Sequence, residues 1–99
     1  LFELFDGEIL GVENENFEIN IYPNPANDLI KVKSSYNPQN PLKFMLIDKL
    51  GRPLLIRESF NQNKIDEVIE LNQINSGLFI LLVYDGNHLL SSKKVIINR

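Results

Sequence analysis

The chain of 99 residues has no cysteine and no tryptophan, and only one histidine and one methionine. Without cysteine there is no disulfide, no thiolate nucleophile and no cysteine-held metal, a composition that suits passage through an oxidising space without mispairing. A single histidine, His88, cannot by itself assemble a zinc ligand set. Glycine and proline number only five each, and no glycine-rich loop of the kind that cradles phosphate is present. No apolar run approaches the roughly 20 residues a membrane helix needs, so no direct membrane span is expected. Basic residues are in the minority, ten against thirteen acidic, giving a net charge of −3. That balance argues against nucleic acid as a partner, since nucleic acid selects a basic face. The first residues lack the basic start and small-residue cleavage site of a signal peptide. If the parent protein is secreted, that signal is expected outside this chain.

What is present is alternation. Phe17, Ile19 and Ile21 alternate with Glu18, Asn20 and Tyr22, the period of a strand with one buried and one wet face. Ile30 and Val32 alternate in the same way with Lys31 and Lys33. Between these runs lies Tyr22-Pro23-Asn24-Pro25-Ala26, whose prolines fix φ and remove two backbone donors. A stiff, extended crossing between strands is expected there, rather than a tight hairpin. Leu42 to Asp48 is a contiguous apolar run whose length suits a strand buried on both faces. Lys49-Leu50-Gly51-Arg52-Pro53 then reads as a turn, with Leu54 to Glu58 as the returning strand. Lys64 to Leu71 is a further strand, with Glu67, Ile69 and Leu71 on one face. Ile74, in the connector after it, is expected to plug the edge of the sandwich. Leu78 to Tyr84 is the most hydrophobic run and the expected central strand. Asp85-Gly86-Asn87 is a hairpin turn signal, and His88 to Arg99 returns as the last strand. Seven strands at this spacing, with no helical period, predict an all-β, immunoglobulin-like β-sandwich of about seven antiparallel strands. Residues 17–99 are enough for one domain with one modest core. Residues 1–16 read as a linker, as the end of a preceding domain, or as a strand lent to this one.

Candidates for chemistry fail on geometry. His88 adjoins a turn, and Ser91, Ser92 and Asp85 offer it no nucleophile elbow. Asp66 and Glu67 are consecutive, so on a strand they point to opposite faces and cannot act as a paired acid and base. Asp48 ends a strand before a turn, where a carboxylate caps backbone donors. Asp6, Glu8, Glu13 and Glu15 match no calcium loop and read as a solvated linker. Tyr22, Tyr36 and Tyr84 are too dispersed to read as a sugar-stacking platform. No catalytic, cofactor or metal residue is assigned, and no enzyme is expected.

Four ordered blocks carry a resemblance. The first is Ile21-Tyr22-Pro23-Asn24-Pro25-Ala26, and the second, Ile47 to Pro53, contains Asp48, Gly51 and Arg52 in an Asp-x-x-Gly-Arg turn. The third, Ile69 to Leu81, contains Gly77 and Phe79 as Gly-x-aromatic, and the fourth is Lys93-Lys94-Val95-Ile96-Ile97. Together they resemble the type A C-terminal sorting domain of cargo proteins of the type IX secretion system, over about residues 17–99. Phe79 stands where that family commonly has tyrosine, Ile74 where it has leucine and Asn72 where it often has serine, swaps that preserve character.

The resemblance implies a removable address on a secreted enzyme or adhesin. It implies an N-terminal cargo domain, transit through the periplasm, reading by the outer-membrane translocon, and removal by a sortase-like peptidase. The cargo would end secreted or at the cell surface. Lys93, Lys94, Val95, Ile96 and Ile97 are the candidate recognition residues, and the cut is expected within residues 6–16, upstream of the sandwich. The competing reading is a carbohydrate- or protein-binding module retained on the mature cargo.

Overall fold

The same alternation sets the burial seen in the computed structural model, which describes residues 17–60 and 63–99. Among these residues there are seven strands: β1 (Ile19–Tyr22), β2 (Leu29–Ser34), β3 (Leu42–Ile47), β4 (Pro53–Ser59), β5 (Ile65–Glu70), β6 (Gly77–Asp85) and β7 (His88–Ile97). One sheet has the order β1-β2-β5 and the other β4-β3-β6-β7, with every neighbouring pair antiparallel. Ile19, Ile30, Val32, Ile65 and Ile69 from the first sheet meet Phe44, Leu46, Leu81, Val83 and Val95 from the second in one buried cluster. The all-β sandwich therefore stands as expected, with β6 in the interior of its sheet. The linker and calcium-loop readings of residues 1–16 fall outside the described residues.

One expectation is met and one needs correction. The Pro-Asn-Pro stretch is, as expected, a connection between two strands and not a tight hairpin turn. Tyr22 pairs with Lys31 and Ile19 with Ser34, so β1 and β2 are neighbours joined by a six-residue loop, 23–28. The Tyr22–Pro23 and Asn24–Pro25 peptide bonds are both cis. The prolines sit outside the ladder, so the missing donors cost no pairing. The one to correct is β3, which is not buried on both faces: Leu42, Phe44 and Leu46 are buried, whereas Lys43, Met45 and Ile47 are half-covered. Its continuous apolar run supplies one face of the core and part of an outer surface.

The β6–β7 hairpin closes through Gly86 and Asn87, with Asp85 opposite His88. Only Gly86 of the two has positive φ, +61°, as a turn of type II′ requires at its first central position. Asp85 is thus a strand residue, on the inward face that Phe79, Leu81 and Val83 define.

Candidate functional site

Antiparallel order brings all four sequence blocks to one pole of the sandwich. The ends of β1, β3, β5 and β7 and the starts of β2, β4 and β6 meet there. At this pole Asp48 folds the β3–β4 turn around its own carboxylate. Its Oδ1 accepts from the backbone N–H groups of Leu50 and Arg52, both at 2.9 Å. Its Oδ2 accepts from Arg52 Nε at 2.7 Å. The Arg52 backbone N–H most of all, then the guanidinium and the Leu50 N–H, hold the Asp48 pKa below its ordinary value against partial desolvation. Gly51, at φ +83°, takes the left-handed position that a side chain would strain. The capping role read for Asp48 is therefore observed.

Beside this turn the chain enters β6. A Cβ on Gly77 would lie 3.2 Å from the Phe79 ring, so the ring occupies the space a side chain would take. That contact gives the Gly-x-aromatic spacing a physical reason. Asp48, Arg52, Gly77 and Phe79 line one open depression, together with Lys49 and Ser76.

The Pro-Asn-Pro loop lies on the outer edge of β7. The Asn24 side chain behaves as a peptide group added to that strand: its Nδ2 donates to Lys94 O at 3.0 Å, and its Oδ1 accepts from Ile96 N at 3.0 Å. Ala26 continues the pairing, donating to Ile96 O at 2.7 Å and accepting from Asn98 N at 2.8 Å. Pro23 and Pro25 themselves, and Tyr22, stay exposed. Arg99 ties the remaining loops together. Its Nη1 donates to the Asn27 and Leu71 carbonyls at 2.9 and 3.0 Å, and its backbone N–H donates to Ser76 Oγ at 3.0 Å.

The terminal recognition candidates consequently divide in two. Val95 and Ile97 are core residues, whereas Lys93, Lys94 and Ile96 are exposed. Lys93 sits opposite buried Leu81 on the inward parity of β7, and Lys94 sits opposite Ile80 on the outward face. An inward-parity charge on an edge strand discourages further strand addition. The tyrosines do not converge: Tyr22 ends β1, Tyr36 packs on Phe17 at 4.7 Å, and Tyr84 lies under the Lys43 ammonium at 5.5 Å. His88 is exposed at the β6–β7 turn, at the opposite pole.

Two residues with structural authority escape the sequence reading. Asp85, 3% exposed, accepts at Oδ2 from the Tyr36 hydroxyl (2.5 Å) and Gln39 N (3.0 Å), and at Oδ1 from Asn40 N (2.7 Å). Burial pushes its pKa up, but these donors outweigh it and the net shift is downward. Its parity with Val83 was the available signal. Arg99 had none beyond its charge, because its partners lie 23 to 72 residues away.

A family model described as a secretion system C-terminal sorting domain matches residues 20–98 of the chain. No curated protein and no solved structure matches it.

Proposed function

The chain belongs to the family of type IX secretion C-terminal sorting domains, and on that ground we propose how its signal is read and removed. The domain is a sorting signal on a cargo protein bound for the exterior or the cell surface. The outer-membrane translocon reads it after transit through the periplasm, and a sortase-like peptidase cuts it off upstream of the sandwich, within residues 6–16. The face that is read includes the terminal segment of β7: Lys93, Lys94 and Ile96 offer side chains to a partner, while Val95 and Ile97 hold the strand to the core. The observation that carries this reading is the family match over residues 20–98, which spans all of β7 and the four sequence blocks.

The test fuses residues 1–99 to the C-terminus of a periplasmic fluorescent reporter in a bacterium with this secretion system. Reporter found outside the competent strain, shortened by about one domain, and retained in a translocon-deficient strain supports the reading. Retention in the periplasm of both strains would sink it, and would turn attention to a binding module kept on the cargo.

A further inference from the structure

Among the described residues β1, β5, β4 and β7 lie at sheet edges. An edge strand presents N–H and C=O groups to any other chain that can extend beside it. β1 is only four residues long, β4 opens on a proline, and β5 has Arg57 of β4 reaching its Val68 carbonyl at 3.4 Å. β7 is different. It is the longest strand described, ten residues, and its register with β6 runs unbroken from Ser91 to Ile97. Its last part, Val95-Ile96-Ile97, is wholly β-branched and uncharged, a composition prone to strand addition.

The Pro-Asn-Pro loop bonds four backbone groups here that face away from β6. Lys94 O and Ile96 N go to the Asn24 side chain, and Ile96 O and Asn98 N to Ala26. They are the groups that two copies of β7 would use if they paired antiparallel about Ile96. In that register the two Ile96 residues would exchange N–H and C=O bonds, and each Asn98 N–H would meet the other copy's Lys94 carbonyl. Val95 would lie opposite Ile97 and Lys94 opposite Asn98, so no lysine would face a lysine. Registers centred on Lys93 or Lys94 set like charges opposite each other and are disfavoured. The lysines therefore guard the strand as far as residue 94 and leave the Ile96 register open.

We propose that the Pro-Asn-Pro loop guards that register. By filling the edge from Lys94 to Asn98, it keeps two copies of the domain from joining through β7 into one continuous sheet. One side chain and one residue's backbone stand in for a strand and end the sheet there. The assignment does not depend on how the sorting signal is read.

The test follows the mass of the full 1–99 chain by sedimentation from micromolar to millimolar concentration, with a cooperative urea transition showing that each chain is folded. Wild type is expected to stay at its monomer mass of 11.4 kDa. Asn24→Ala frees Lys94 O and Ile96 N, and adding Ala26→Pro also removes the donor to Ile96 O. Both variants are expected to double in mass as concentration rises, the second at a lower concentration than the first. The Ile96 amide, open to exchange in the dilute variants, is expected to regain protection as they pair. Ile96 is 46% exposed, so Ile96→Lys is tolerated by the fold. It sets two ammonium groups opposite one another and is expected to return both variants to monomer. The proposal is overturned if neither variant associates beyond wild type, or if the added association survives Ile96→Lys. Should the double variant not fold, Asn24→Ala alone decides by the same two criteria.

Discussion

Asp85 shows how one carboxylate orders a loop. Residues 35–41 have no regular pairing, and Tyr36, Gln39 and Asn40 all donate to it. Asp85→Ala leaves buried donors unpaired and is expected to cost about 1–3 kcal/mol in urea denaturation at pH 7. The carboxyl titrates lower folded than unfolded. As pH falls the unfolded chain therefore takes up the proton first, and the stabilisation, whole above about 4, is lost through the folded pKa. The stability gap between wild type and Asp85→Asn is expected to close on acidification below about pH 4; a gap independent of pH would refute the assignment. Asn24 acts at the other pole. Asn24→Ala removes two hydrogen bonds to β7 and is expected to cost about 1–2 kcal/mol. Faster amide exchange at Ile96 is the local readout.

At the scale of elements, β7 is held on both sides, by β6 along its length and by Asn24 and Ala26 from Lys94 to Asn98. Deleting Lys93 to Arg99 would remove Val95 and Ile97 from the core, so lost secretion in that truncation reports folding as much as recognition. The exposed lysines separate the two. Lys93→Ala with Lys94→Ala is expected to change stability by less than about 0.5 kcal/mol and to leave the reporter in the periplasm. Unimpaired secretion of that variant would reduce both lysines to guards of an edge strand. Such elements were largely legible in the sequence, because period-two alternation is local. The Asp48 turn was legible for the same reason, all its bonds lying within four residues. The clasp of Asn24 on β7 was not, since it joins residues 70 to 72 apart. The run from Phe44 to Ile47 misled because apolar residues on an outer face look the same in sequence as residues in a core.

For the whole molecule, one core serves both sheets, and Phe44 is its largest fully buried side chain. Phe44→Ala is expected to cost about 3–5 kcal/mol, a large share of the 5–15 kcal/mol typical of a domain, read as a lowered urea midpoint. The motif pole has a consequence in time. Its first component, Asn24, is made about seventy residues before the backbone it clasps, Lys94 to Asn98. A chain that stops before Lys94 leaves the Pro-Asn-Pro loop facing nothing and the two loops that Arg99 joins, 23–28 and 71–76, untied. The pole can therefore close only after some seventy residues have followed Asn24, and until then the loop has no strand edge to hold.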